Sequence, residues 1–192
     1  FLGGAGNICA EQLRANGFGG KILVISKEKH LPYDRPKLSK AMNLSASDIQ
    51  LRDASYYQNA AIDFLLETEV IELNPDTKTI KTSDGGEFVY DKCLVATGGS
   101  PQLLKFIPGH DGKNVYPLRT PEDANLIHEI VEGKRVALVG SSFIGMEVAS
   151  CIVDRASEVT VLGMESVPFE RVLGTTVGGI LKEVQIFIPP HL

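Results

Sequence analysis

The feature that most limits what this chain can fold into is the run RVALVGSSFIGMEVASCIVDRASEVTVLG at residues 135–163. Its β-branched opening, 135–139, predicts a buried strand, and 158–162 predicts a second. Between them, Gly140, Ser142 and Gly145 punctuate a turn, and apolar residues at helical spacing continue to about Val153. In a dinucleotide-binding βαβ unit the first glycine permits the tight turn out of the strand. The second lets the backbone approach a pyrophosphate, and the third allows close helix–strand packing. The helix amino end then offers free N–H groups and a positive dipole to the phosphates. A lone glycine triplet is weak evidence; the strand before it and the helix and strand after it separate it from an ordinary βαβ turn. Two departures stand out. Ser142 replaces the middle glycine, which puts a Cβ where the pyrophosphate would approach. Gly163 stands where an acid usually closes the second strand and grips a ribose hydroxyl. Glu165, two residues on, is the candidate substitute. Arg171 would favour a 2′-phosphate, or be a solvated surface charge.

The amino end repeats the pattern without its beginning. Gly3 and Gly6 have the spacing of the second and third glycines, while the first would fall on Phe1 with no strand before it. A helix is expected to follow, ending near Gly17, with Ile8, Cys9, Leu13 and Gln12 on its apolar side. The KILVIS run at 21–26 then predicts a strand of the kind buried in a parallel sheet. Glu28, at its end, is placed to hydrogen-bond an adenosine ribose, or is a surface glutamate in a loop. The fold class predicted is α/β, with two Rossmann-like dinucleotide-binding units. The first lacks its opening strand, the central member of its sheet, so a weakened domain is expected.

Between the two units the pattern is irregular. Pro32 and Pro36 argue against regular structure around 28–36, although 37–43 has material for a helical turn or two. From about 64 to 97 short runs alternate with turn signals at Asn74-Pro75-Asp76-Thr77 and Asp84-Gly85-Gly86, which predicts a small antiparallel meander. It is expected to feed one buried strand at 93–97, broken by Gly98-Gly99-Ser100-Pro101. The stretch 108–117 is the candidate boundary between a partial FAD-binding domain, 1–110, and a partial NAD(P)-binding domain, 111–192. Thr120-Pro121-Glu122-Asp123 reads as a helix start, and an amphipathic segment follows Pro168.

Composition narrows the function classes. A formal charge of −5 leaves no basic excess for nucleic acid or an anionic membrane surface. No apolar run approaches the roughly 20 residues of a membrane span, and no basic-then-apolar leader opens the sequence. The three cysteines, Cys9, Cys93 and Cys151, lie far apart without CxxC spacing. They are expected to be small buried filler in a reducing, intracellular compartment, cytoplasmic or mitochondrial. His30, His110, His128 and His191 have no cysteine at metal-ligand spacing, so no metal site is expected.

With two such units in one chain, separated by a meander ending in Ala96-Thr97-Gly98, the sequence resembles the FAD/NAD(P)-dependent pyridine nucleotide-disulfide oxidoreductases. HLPYDRPKLSK at 30–40, RTPEDAN at 119–125 and FIGMEVA at 143–149 narrow the likeness. They point to the branch of single-component ferredoxin reductases and apoptosis-inducing factor 3-like proteins, from residue 3 to about 182. The resemblance implies FAD on the first unit and NAD(P)H on the second, with hydride passing from nicotinamide to flavin N5. It implies that Arg35 contacts the FAD phosphates and that Lys40 sits beside the isoalloxazine ring, paired with Glu147. A cation near N5 favours the negative charge of reduced flavin, and a carboxylate partner fixes its position. Without the resemblance, Lys40 and Glu147 read as two unrelated charges. Val70, Ala96, Thr97 and Gly98 would offer backbone contacts to the cofactor, or be plain strand and turn. Lacking a CxxC dithiol, the chain would pass electrons to an external carrier such as a ferredoxin, or to a quinone. Family members run further, to a glycine–aspartate turn that holds the ribityl chain and to an interface domain. The chain therefore reads as truncated at both ends and is expected to retain FAD poorly. The alternative is a non-catalytic product or a simple nucleotide-binding or interaction module.

Overall fold

In a computed structural model of the chain, residues 4–186 are described, and they divide into two compact units. The first comprises Phe1–Arg35 with Ala46–Ser100, and the second Pro36–Ser45 with Pro101–Leu192.

In the first unit, helix α1 (Gly4–Ala15) leads to strand β1 (Ile22–Ile25), helix α2 (Ala54–Asn59) and strand β2 (Ile62–Leu65). β1 and β2 pair in parallel, from Ile22 opposite Ile62 to Ile25 opposite Leu65. Ala10, Ile22, Tyr57 and Ile62 form the buried core, flanked by Val24, Leu31, Ala60 and Phe64. α1 stops where the sequence suggested, with Gly17 at φ 81°. Its buried face differs from the expected one. Ile8 is 52% exposed and Leu13 39%, while Asn7 and Glu11 are buried. Burial of the polar face works because each group has a partner. The Asn7 amide donates to Glu11 (2.8 Å), Tyr57 Oη donates to Asn7 (2.7 Å), and Arg52 donates to Glu11 (3.3 Å).

The sequence reading passed over α2 and β2. The signal was present: Asp53 caps α2 by accepting from the Tyr56 amide at 2.7 Å. Three antiparallel strands follow, β3 (Val70–Asn74), β4 (Thr79–Thr82) and β5 (Glu87–Val89), in the order β3-β4-β5. The two turn signals act as predicted: Asn74 Oδ1 accepts from the amides of Asp76 and Thr77, and Gly85 adopts φ 89°. The strand expected at 93–97 does not form. A strand exists only where a neighbour satisfies its backbone, and no described strand pairs with this segment. Its large apolar side chains stay in solvent, with Leu94 58% and Val95 62% exposed.

The second unit contains most of a 3-10 turn, Arg35–Ser39, where Pro36 is tolerated because the first helical N–H groups have no intrahelical partner. Helix α3 (Pro121–Ile130), strand β6 (Arg135–Val139), helix α4 (Phe143–Ile152), strand β7 (Glu158–Leu162) and helix α5 (Glu170–Ile186) complete it. β6 and β7 pair in parallel from Arg135 opposite Glu158 to Val139 opposite Leu162, the predicted βαβ unit. α3 opens with a full capping box between Thr120 and Asp123. α5 breaks at Gly174, φ 76°. Among the described residues no helix is long and apolar enough to cross a membrane. The cysteines are not buried filler: Cys93 is exposed, and Cys9 and Cys151 are half-buried.

Candidate functional site

The glycine turn of the second unit has the steric logic the sequence implied. Gly140 leaves β6 with φ 120°, a conformation that L side chains rarely adopt, and its amide donates to Leu162 O at 2.8 Å. A Cβ on Gly145 would collide with the carbonyl oxygen of Gly140. Ser142 is the N-cap residue of α4, but its side chain makes no capping bond, and no acid lies in the first helical turn. The N–H groups there have neither a side-chain acceptor from the cap nor a carboxylate within the first turn to offset the dipole. Ser142 is exposed, so its hydroxyl stands at the surface of the turn.

The end of β7 explains its missing acid. A Cβ on Gly163 would collide with the side chain of Ser141, a buried residue. Glu165, two residues on, lies beside the same serine: one carboxylate oxygen accepts from Ser141 Oγ at 3.3 Å, and the other pairs with Arg171 Nε at 2.7 Å. Arg171 is 73% exposed against 21% for Glu165, so it covers the carboxylate from the solvent side. It is a solvated surface charge that also pairs with Glu165.

Lys40 and Glu147, 107 residues apart in sequence, meet within the second unit. Lys40 Nζ lies 2.9 Å from Glu147 Oε2, and Ser39 Oγ donates to the same oxygen at 2.5 Å. The Ser39 hydroxyl first, and then Lys40, hold the Glu147 carboxyl below the usual range. Lys40 Nζ also donates to Pro36 O at 3.1 Å, which leaves it one further N–H. Sequence reasoning missed Ser39, although it adjoins Lys40 in the motif PKLSK.

In the first unit, Glu28 follows β1 and pairs with Arg35 at 2.9 Å. Their side chains are only 10% and 18% exposed. Arg35 also donates to Tyr33 Oη at 2.5 Å and lies over the Tyr33 ring, 4.6 Å from its centroid. Burial, reinforced by Glu28, pushes the Tyr33 phenol well above its ordinary range. The acid proposed for a ribose and the base proposed for phosphates are thus direct partners. Gly6 faces Ala96: a Cβ there would lie 3.7 Å from the Ala96 Cβ, an ordinary contact. The glycine is therefore permitted rather than required at this point. Gly98 has φ 65°, Thr97 is exposed, and Val70 pairs with Thr82 beside a bulge. Gly3 lies outside the described residues. Among the described residues no cluster of His, Cys, Asp or Glu could hold a metal ion.

Two successive α/β units, one with its strand–glycine turn–helix–strand order seen whole, define the fold of the FAD- and NAD-binding ferredoxin reductases. The chain belongs to the pyridine nucleotide-disulphide oxidoreductase family, which it matches over residues 2–186. It is 40% identical to human apoptosis-inducing factor 3 over 182 residues, covering 95% of this chain and 30% of that protein. It is 38% identical to the ferredoxin–NAD(+) reductase subunit of the Pseudomonas putida benzene 1,2-dioxygenase system, covering 94% of this chain and 44% of that protein. Among solved structures it superposes on putidaredoxin reductase, in its covalent complex with putidaredoxin, with a TM-score of 0.88 and 32% identity. That match covers 96% of this chain and 46% of the other. The chain thus spans less than half the length of these relatives.

Proposed function

We propose that the chain is the nucleotide-binding part of an NAD(P)H-dependent FAD oxidoreductase whose electrons leave for a carrier such as a ferredoxin. The observation that carries the reading is the Lys40–Glu147 pair, assembled from two distant motifs and braced by Ser39. The glycine turn before α4 supports the NAD(P)H part of this reading, and the buried Glu28–Arg35 pair after β1 the FAD part. Gly140, Ser142 and Gly145 would receive the NAD(P)H diphosphate on backbone amides at an α4 start free of acids. Glu165 would take a ribose hydroxyl with the lone pairs that Ser141 and Arg171 leave open. Gly3, Gly6 and Arg35 would serve the FAD diphosphate, Glu28 its ribose, and Val70, Ala96, Thr97 and Gly98 its surroundings.

The chemistry that bound flavin supplies is acceptance of hydride from nicotinamide and onward release of electrons to the carrier. The chain's own part is electrostatic. Lys40 presents a cation, and Glu147, held ionised, fixes where that cation stands. A reducing intracellular compartment belongs to the same proposal, since the exposed Cys93 carries a free thiol.

The test is ligand binding by the purified chain, read as thermal shift and as NADH fluorescence, with and without added FAD. Saturable binding of both nucleotides, with Ser142→Asp, which sets a negative charge at the exposed cap of α4, abolishing the NADH response alone, supports the proposal. Protection by NADH without any FAD response would reduce the reading to a simple nucleotide-binding module. No response to either would leave a non-catalytic product.

A further inference from the structure

The segment that carries Lys40 is gripped by two helices at different points. From α4, Glu147 accepts from Ser39 and Lys40, and Cys151 Sγ lies 3.8 Å from the Lys40 carbonyl oxygen. From α3, the single amide nitrogen of Asn125 donates to two carbonyls of the same segment, Met42 O at 2.7 Å and Leu44 O at 3.0 Å. Within the segment, the amides of Lys40 and Ala41 both donate to Lys37 O, and that of Leu44 donates to Ala41 O. Lys37 to Leu44 therefore move as linked turns. The Met42 side chain is fully buried.

From this geometry we infer that Asn125 is a positioning residue for the Lys40–Glu147 pair, an inference that rests on the function proposed above. Asn125 touches neither member of the pair. It fixes the downstream end of the segment, and the linked turns carry that constraint back to Lys40. The side-chain chemistry is specific. A primary amide has two N–H donors on one nitrogen, so it can serve two carbonyls at once. Asp has no donor when ionised and would set a carboxylate against two carbonyl oxygens; Leu has the shape and no donor. The capping box at Thr120 and Asp123 fixes the start of α3, so Asn125 reaches out from an anchored helix. With Asn125 removed, the downstream end of the segment loses both hydrogen bonds to α3 and keeps the buried Met42 side chain, and the ammonium spends more of its time away from Glu147.

The experiment compares the full chain with Asn125→Asp, Asn125→Leu and Asn125→Gln. Each is treated with an amine-acylating reagent, and the rate at Lys40 is read by peptide mass spectrometry against other lysines; Glu147→Gln sets the rate for a broken pair. Asp and Leu are expected to speed Lys40 labelling by about fivefold, the net scale of one hydrogen bond although two are lost, because the buried Met42 side chain still holds the segment. Labelling of Lys78 and Lys113 should stay unchanged, and Gln should recover most of the protection. Carboxyl NMR of Glu147 supplies the second reading: its titration midpoint should rise in the Asp and Leu variants and fall back in Gln. Wild-type Lys40 labelling and an unmoved Glu147 midpoint in folded Asp and Leu variants would overturn the inference. So would a uniform rise at all lysines, which would mean general loosening. The labelling needs no nucleotide, so a wild-type chain that binds neither NADH nor FAD defeats the proposed function and leaves this comparison readable.

Discussion

The carbonyl oxygen of Gly140 occupies the place where a β-carbon on Gly145 would stand. The two glycines of the turn therefore answer different demands. Gly140 is needed for its own backbone angle, and Gly145 for its neighbour's oxygen. Gly145→Ala should cost about 1–3 kcal/mol of stability by forcing β6 and α4 apart, the usual scale of overpacking. Gly163→Ala should show a milder loss, because the nearest obstacle there is the Ser141 hydroxyl, which can rotate away, and the Ser141 Cβ stands farther off, at 2.7 Å, than the Gly140 oxygen does from a Cβ on Gly145. Urea unfolding of both variants checks the order. A Gly145→Ala protein as stable as the parent would mean that the turn relaxes freely.

Ser39 and Lys40 share one oxygen of Glu147; the Ser39 hydrogen bond is the largest single cause that holds the carboxyl ionised, and Lys40 adds both a hydrogen bond and its charge. The sign follows from linkage. In acid the unfolded chain binds a proton at Glu147 before the folded chain does. The stabilisation is therefore present above the ordinary Glu value of 4.5 and is lost as pH falls through the depressed folded value. Ser39→Ala and Lys40→Met should each raise the Glu147 titration midpoint, as read by carboxyl NMR. A midpoint unmoved by Ser39→Ala would show the ion pair, half-exposed on the lysine side, to hold the carboxylate alone.

What the sequence disclosed follows the range of the interaction. The turn at 140–145 was legible because its demands are local: a backbone angle, a close approach, a helix start. The Thr120 cap and the Asn74 turn were legible for the same reason. The Lys40–Glu147 pair spans 107 positions, and only the likeness to a family suggested it. The face of α1 was misread because periodicity marks where apolar residues lie, not whether polar ones have partners. Asn7 and Glu11 found theirs in Tyr57 and Arg52, in a stretch left unassigned. The apolar run at 93–97 looked like a strand, but composition cannot supply a neighbour for it to pair with. Ser39 and Asn125 were invisible for a simpler reason: a serine and an asparagine carry no pattern until the chain places something opposite them.

Tyr57 joins α2 to the buried Asn7 of α1. Burial first, and then the Glu11 charge, push its phenol from 10.0 up to about 12. A folded state that disfavours the phenolate keeps this stabilisation in full below 10.0 and loses it as pH rises toward about 12. Tyr57→Phe strips the Asn7 oxygen of that donor and should cost about 1–2 kcal/mol at neutral pH. It should also flatten the alkaline loss. Urea unfolding at neutral and strongly alkaline pH tests both parts. A variant whose stability still declines as steeply in alkali would assign that decline to another group.

Arg14 gathers four backbone carbonyls around one guanidinium. Its Nε donates to Ala60 O at 2.6 Å, Nη1 to Phe18 O at 2.5 Å and Gly20 O at 2.8 Å, and Nη2 to Ala61 O at 2.7 Å. These carbonyls come from the turn after α1 and from the link between α2 and β2, where Ala61 is held at φ 51°. The fork thus ties the loop entering β1 to the loop entering β2, the two parallel strands of the unit. Lys has the charge without the fork, and a point ammonium cannot reach carbonyls arranged around a plane. Arg14→Lys should therefore lose nearly as much as Arg14→Ala, about 2 kcal/mol after allowing for the exposed part of the cluster. Ala61→Gly, which relieves the left-handed backbone, should recover a fraction of it. Chemical denaturation of the three single variants and of the Arg14→Lys, Ala61→Gly pair makes the comparison. If Arg14→Lys lies within about 0.5 kcal/mol of the parent, charge rather than planar geometry holds these loops together.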